Sequence, residues 1–96
     1  MPTYITLWNY TQQGLETIQD SPERLDAAID LMASLGGELH AFYLTMGEYD
    51  IVTVSEFPDD DAATKAVIGV AQGGNVSPMT MKAWPEAEYR ELFESM

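Results

Sequence analysis

The feature that most constrains this chain is a pair of β-like runs joined by a tight turn, over residues 43–52 near its middle. Gly47 marks the turn, because glycine adopts the positive backbone angles that short hairpin connections need. One helical pattern precedes this hairpin and another follows it. The remaining segments are therefore expected to be strands and helices that pack against the hairpin.

The rest of the chain divides into alternating strand and helix patterns. Strands are predicted where β-branched and aromatic residues dominate, at residues 3–10, 38–45, 49–57 and 76–84. Helices are predicted from Ser21 to the glycines at 36–37, over residues 62–72, and after Pro85. Residues 11–20 are predicted to form a loop with at most one turn, since Leu15 and Ile18 give only a weak helical pattern. Ser21 is the expected cap of the first helix, and Pro78 predicts that the last strand lies at a sheet edge.

This order of elements is typical of an α+β, ferredoxin-like βαββαβ sandwich followed by a short C-terminal helix. Two helices would cover one face of a four-stranded antiparallel sheet, with the first and third strands in its centre. The length of 96 residues fits one domain, residues 1–96.

Composition excludes several classes of function. A net charge of −12 repels phosphate backbones, so no nucleic-acid partner is expected. The absence of cysteine excludes disulfides and thiolate chemistry, and with a single histidine it predicts no metal site and no cofactor. The N-terminus does not resemble a signal peptide and no apolar run approaches a membrane span, so a cytoplasmic location without membrane contact is expected.

The first strand has two unlike faces. One face carries Ile5 and Leu7, and the other carries aromatic and hydroxylated residues, namely Tyr4, Thr6, Trp8 and Tyr10. We expect the second set to lie on the face that no helix covers. Such an exposed patch is rare on a monomer, so it predicts a homodimer or higher homo-oligomer packed sheet to sheet. Aromatic residues would then line a cavity between the sheets: Tyr4, Trp8, Tyr43 and Trp84.

Several motifs resemble the GYD domain family across most of the chain. They are Tyr10-Thr11-Gln12-Gln13-Gly14, Asp20-Ser21-Pro22-Glu23-Arg24, Leu35-Gly36-Gly37, Pro58-Asp59-Asp60, Gly74-Asn75-Val76 and the hairpin Tyr43-Leu44-Thr45-Met46-Gly47-Glu48-Tyr49-Asp50. The resemblance implies a ferredoxin-like fold of the dimeric α/β barrel type, and it leaves the activity open. Similar proteins often have a basic residue after the Asn-Val pair, where this chain has Ser77-Pro78.

The hairpin also resembles the Gly-x-x-Asp turn in the ligand-sensing domains of leucine-responsive transcription regulators. Those domains share the fold and bind amino acids between dimers. This chain lacks the DNA-binding domain of those regulators, so the resemblance implies at most a stand-alone sensor.

The candidate site residues each have a structural alternative. His40 and Asp50 are candidate catalytic groups, because a histidine or carboxylate at a cavity serves as an acid or base. The candidate ligand-binding residues are Trp8, Tyr43, Asp50 and Arg24. The alternatives are a strand position for His40, and a hairpin contact or a pair with a basic residue for Asp50. For Arg24 the alternative is an ion pair with Asp20, Asp50 or a partner chain, and for the rings it is interface packing.

Three functions follow from these candidates. The first is a homo-oligomer that binds or senses a small organic molecule. The second is a cofactor-independent enzyme of the dimeric barrel type, a monooxygenase or isomerase for a small aromatic or lactone substrate, using Trp8, His40 and Tyr43. The third is a purely structural assembly module.

Overall fold

The computed structural model describes all residues, 1–96. Its elements in chain order are β1 (Thr3–Tyr10), α1 (Gln12–Glu16), a 3-10 turn (Ile18–Asp20), α2 (Ser21–Ser34), β2 (Glu38–Leu44), β3 (Ile51–Glu56), α3 (Asp60–Ala71), β4 (Val76–Ala83) and α4 (Glu86–Glu94). None of these helices combines the length and the hydrophobicity that a membrane span requires.

The four strands form one antiparallel sheet in the order β2-β3-β1-β4. The predicted ferredoxin-like sandwich, with β1 and β3 in the centre, is confirmed. Pro78 lies in β4 at one edge, where a missing N–H costs no hydrogen bond to a further strand. At the other edge, β2 has a bulge between Leu39 and Ala41.

Helix α2 begins at the predicted place but not with the predicted cap. Asp20 is the N-cap and makes no capping hydrogen bond with its side chain, while the Ser21 hydroxyl lies 2.9 Å from the Tyr10 hydroxyl. The helix ends before Gly36, whose φ of 78° requires glycine. Helix α3 is capped by Asp59, which accepts the Ala62 N–H at 2.8 Å.

Residues 11–20 are mostly helical, which corrects the loop prediction. Thr11 caps α1 by accepting the Gly14 N–H at 3.1 Å. Gly14 is buried, and a Cβ at this position would lie 2.1 Å from the Asn75 carbonyl oxygen. Glycine therefore lets α1 lie directly against the start of β4.

The two faces of the sheet are the reverse of the prediction. Tyr4 packs under the helices with Phe57, Ala63 and Ala66 in the buried core. Tyr4, Thr6 and Trp8 alternate on the same side of β1, so the aromatic and hydroxylated face is the covered one. The polar groups on this face are hydrogen-bonded to one another, Trp8 to Thr53 and Thr6 to Thr80, so they can be covered by the helices.

The open face is mainly apolar in two of its cross-strand rows. Antiparallel register places two rows of residues across it, one of Ala41, Val54, Ile5 and Met81, and one of Tyr43, Val52, Leu7 and Met79. A third row, at the end where β1 begins, contains Glu38, Glu56, Thr3 and Ala83.

Helix α4 projects from the sandwich, and each of its residues is exposed. Its apolar side consists of Tyr89, Leu92 and Phe93, with the rings of Tyr89 and Phe93 5.0 Å apart between centroids. The molecule is correspondingly elongated, measuring 49 × 31 × 16 Å.

Candidate functional site

A cavity of about 310 Å³ lies between the covered face of the sheet and helices α2 and α3. Protein interiors are normally packed without voids larger than a water molecule. This volume falls at the lower end of the range of small-molecule binding sites, about 300–1,000 Å³. Of the 21 residues that line the cavity, 14 are hydrophobic, so it suits a ligand with an apolar body.

The floor of the cavity carries a row of polar groups on the sheet. The Trp8 indole Nε1–H donates to the Thr53 hydroxyl at 3.0 Å. Thr53 and Ser55 are buried, and they line the cavity together with Thr6. The Thr6 hydroxyl is 3.0 Å from that of Thr80. These hydroxyls are held in place by neighbouring strands, so they offer fixed donors and acceptors to a bound molecule.

Arg24 is the single charged residue in the cavity lining. Its guanidinium donates to the Thr17 carbonyl and hydroxyl at 3.1 Å, and to the Gly14 carbonyl at 3.3 Å. The alternative expected from sequence, an ion pair with Asp20 or Asp50, is not formed. A guanidinium has five N–H donors. Three contacts leave at least two donors available to an anionic group in the cavity.

Small side chains on the helices explain why the space exists. Ala28 of α2 and Ala66 of α3 both line it. A Cβ on Gly69 would lie 2.6 Å from the Leu31 side chain, so glycine lets the two helices approach each other above the sheet. The helices thus contact each other closely while their short side chains leave room beneath them.

Asp50 lies outside the cavity lining and fixes the hairpin. Its carboxylate accepts the Tyr10 N–H at 2.9 Å, and its own N–H donates to the Trp8 carbonyl at 2.9 Å. The Thr45 N–H donates to the Asp50 carbonyl at 2.8 Å. Together with Gly47, which has a φ of 117°, these bonds set the path of the turn and tie it to β1.

The other candidates are also separated from the cavity. Tyr43 stands opposite Val52 on the open face and is 63% exposed, and Trp84 is exposed at the end of β4. His40 lies beside Glu38 and Glu56 on the edge strand. Of the sequence candidates, the structure brings only Trp8 and Arg24 together in one cavity.

Tyr4 connects the core to the start of α3. Its hydroxyl donates to Asp60, which also forms an ion pair with Lys82 at 3.2 Å. Burial, followed by the proximity of Asp60, raises the pKa of Tyr4 to about 12. The hydrogen bond from Tyr4, followed by the one from Lys82, lowers the pKa of the Asp60 carboxyl. This group stabilises the fold and lies apart from the cavity lining.

The sequence candidates did not include the hydroxyl row of Thr6, Thr53 and Ser55. In β3, hydroxyl residues alternate with valines in the stretch Ile51-Val52-Thr53-Val54-Ser55. This alternation is the sequence signal for Thr53 and Ser55, provided that the hydroxyl side of the strand is taken to face the helices.

Two solved structures resemble this fold. A feast or famine regulatory protein from M. tuberculosis, complexed with L-methionine, matches 88% of this chain with a TM-score of 0.67 at 14% identity. The chain spans about half of that protein, 51%. A protein from Thermus thermophilus matches 88% of this chain and 95% of its own, with a TM-score of 0.55 at 20% identity. At these identities the likeness shows the ferredoxin-like fold alone.

Sequence comparison identifies the family. A Thermus thermophilus protein named "Glutamine synthetase and cystathionine beta-lyase binding protein" is 36% identical over 89 residues, which are 92% of this chain and 94% of the relative. The sequence profile of the GYD domain matches residues 4–93. The chain therefore belongs to the GYD domain family.

Proposed function

We propose that this protein is a small-molecule-sensing homo-oligomer whose sensing site is the cavity between the sheet and helices α2 and α3. The observation that carries the proposal is the cavity itself, about 310 Å³ lined mainly by hydrophobic side chains above a row of fixed hydroxyls. A core this open lowers the stability of the fold when it has no occupant, since residual cavity volume is destabilising.

The lining favours a small organic acid with an apolar body as ligand. The free N–H donors of Arg24 suit a carboxylate, because guanidinium and carboxylate groups match in geometry. Trp8 and the hydrophobic lining suit an aliphatic or aromatic portion. Amino acids with apolar side chains are in this class, as is the L-methionine in the complex of the M. tuberculosis regulator.

Binding is favoured over catalysis by what lines the cavity. The lining includes no carboxylate, imidazole, amine or phenol, so Arg24 is its sole ionisable group. General acid–base catalysis needs a group that gains or loses a proton within reach of the substrate. His40 and Asp50 lie elsewhere, which leaves the proposed monooxygenase or isomerase with less support than the sensor.

The proposed oligomer is a homodimer formed by the open faces of two sheets. The two aliphatic rows on this face run across all four strands, and Met79 and Met81 in them are 44% and 42% exposed. Only 11 of 96 residues are buried in the isolated chain, which is a small core for a domain without cysteine. A two-fold dimer would cover both aliphatic faces at once.

Ligand binding is tested by filling the cavity. Ala28→Phe places a ring in the cavity, and Ala33→Phe makes the same change at an exposed position of the same helix. The two variants and the parent protein would be screened by thermal shift against apolar amino acids and small aromatic carboxylates. We expect the parent and Ala33→Phe to be stabilised by the same compound, with Ala28→Phe unresponsive.

A compound that stabilises all three proteins equally would contradict the cavity as the binding site. If no compound in a broad panel stabilises the parent protein, the structural assembly module becomes the better explanation. Saturating ligand at 100 times its Kd stabilises by about 2.7 kcal/mol, so a real ligand gives a clear shift.

A second candidate function is binding to a metabolic enzyme. It is favoured by α4, whose apolar side of Tyr89, Leu92 and Phe93 is exposed, and by the 36% identical relative that is named for binding glutamine synthetase and cystathionine β-lyase. Interferometry with purified glutamine synthetase of the same source, using parent and Phe93→Ser, tests it. Binding that survives in Phe93→Ser would exclude α4 as the contact.

A further inference from the structure

A cluster of three metal-ligating side chains lies at the edge of the open face, on the opposite side of the sheet from the cavity. His40 Nε2 is 3.3 Å from Glu56 Oε2 and 3.8 Å from Glu38 Oε2. One ligand atom from each residue lies within 4.8 Å of the others. Glu38 and Glu56 are opposite each other in the register, and His40, at the bulge between Leu39 and Ala41, lies beside both.

The two glutamates form an unfavourable pair. Glu38 and Glu56 are directly opposite in the β2–β3 register. Like charges at directly opposed positions destabilise a sheet. No lysine or arginine forms an ion pair with either glutamate, because Lys82 pairs with Asp60 and Arg90 with Glu86. A positive charge placed between the carboxylates would relieve this repulsion.

A buried hydroxyl lies in the same cross-strand row. Thr3 stands directly opposite Glu56 and is 6% exposed. Its Oγ1 is buried and has no hydrogen-bond partner. Buried polar groups in folded proteins are almost always hydrogen-bonded, so the unpaired Thr3 hydroxyl, on the strand next to Glu56, indicates a missing partner.

We propose that Glu38, His40 and Glu56 form a binding site for a divalent transition-metal ion, of which Zn²⁺ is the model. Zinc bonds to imidazole nitrogen and carboxylate oxygen are about 2.0–2.2 Å long, which puts tetrahedral ligand atoms about 3.3–3.5 Å apart. The separations of His40 Nε2 from Glu56 and Glu38, 3.3 and 3.8 Å, need only a small side-chain adjustment.

The donor set selects the class of ion. One imidazole with two carboxylates suits zinc and its transition-metal neighbours, whereas Ca²⁺ takes six to eight oxygen ligands and Mg²⁺ keeps several waters. Three protein ligands leave a fourth position to water. This site goes beyond the proposed sensor, since it shares no residue with the cavity lining.

The direct test is isothermal titration of Zn²⁺ into the metal-stripped full chain, with Co²⁺ absorption as a report of tetrahedral geometry. The variants are Glu56→Gln and His40→Ala, and the control is Glu91→Gln, which removes the same charge from exposed helix α4. We expect one Zn²⁺ per chain for the parent and the control. Each site variant should bind at least about tenfold more weakly, since even a lost second-shell partner costs 10–100-fold.

These titrations distinguish Zn²⁺ binding at the proposed site from general attraction of Zn²⁺ to an acidic protein surface. Equal affinity in the parent, Glu56→Gln and His40→Ala would overturn the proposal, as would a parent that does not bind Zn²⁺. A second measurement keeps the test independent of titration heats. Zn²⁺ should raise the Tm of the parent and of Glu91→Gln, and an equal rise in Glu56→Gln would contradict the site.

Discussion

The two faces of the sheet differ in chemistry and in what covers them. The face under the helices carries a tryptophan, a tyrosine and a row of hydroxyls, and it borders a cavity. The open face carries two rows of aliphatic residues and methionines with no element of this chain over them. Two rows of mainly apolar residues are therefore left exposed.

This difference indicates separate roles for the faces. A face that must bind a polar group needs fixed donors and acceptors, and Thr53 with Trp8 provides them. A face that pairs with a flat copy of itself needs shape and apolar area, which alternating valines and methionines provide. Substitutions on each face test this division of roles.

The largest effect is expected from a charge in the middle of the open face. Val54 lies between Ile5 and Ala41 in the first aliphatic row. Val54→Lys would bury an unpaired ammonium in the proposed interface, and we expect the dimer to weaken at least about 100-fold, or about 2.7 kcal/mol. Sedimentation equilibrium over a range of concentrations measures the change.

The control for the open face is Ile68→Lys, which introduces the same charge at an exposed position of α3. This variant should retain the parent dimer. A parent protein that is monomeric at micromolar concentration, or a Val54→Lys variant that still dimerises like the parent, would contradict the interface.

A smaller effect is expected beneath the helices, at Tyr4. Tyr4→Phe removes the hydrogen bond to the Asp60 carboxylate, and we expect a loss of about 2 kcal/mol in the free energy of unfolding. Urea denaturation measures it. Tyr89→Phe on exposed α4 is the control, and it should leave the stability unchanged.

Tyr4→Phe also tests how the stability of the fold depends on pH. The fold raises the pKa of Tyr4 from 10.0 to about 12, so it favours the protonated phenol. The stability that Tyr4 contributes is complete below the unfolded pKa of 10.0 and is lost as the pH rises toward 12. The parent should therefore lose stability more steeply than Tyr4→Phe across this window, and parallel curves would refute the assignment.

A third prediction concerns the floor of the cavity. Trp8→Phe removes the donor to the Thr53 hydroxyl and should cost about 1 kcal/mol of stability. It should also weaken the binding of any ligand found by the cavity screen. Trp84→Phe, at an exposed position, should change neither quantity. An unchanged ligand affinity in Trp8→Phe would show that Trp8 does not contribute to ligand binding.

Much of the fold could be predicted from local patterns. The helix ends at Pro22 and Gly36, the edge position of β4 and the strand order follow from backbone restrictions that individual residues impose. Helix α1 was missed because its stability comes from contact with residue 75, a distant part of the chain against which only Gly14 fits.

The site was harder to predict because it depends on which way a strand faces. A one-residue alternation shows that Trp8 and Leu7 point to opposite sides, but not which side the helices cover. The cluster of Glu38, His40 and Glu56 likewise depends on the pairing of Glu38 with Glu56 across two strands, which is not visible in a single sequence.

The smallest effects are expected at Asp50, in the hairpin. They show whether the ligand-binding site under the helices extends to this residue. Asp50→Asn keeps an acceptor for the Tyr10 N–H and should cost under about 0.5 kcal/mol, while Asp50→Ala leaves that N–H unpaired and should cost about 1 kcal/mol. Both should bind the cavity ligand as the parent does, because Asp50 lies outside the lining. If Asp50→Asn instead abolishes the ligand-induced thermal shift, the carboxylate contacts the ligand and the binding site extends to the hairpin.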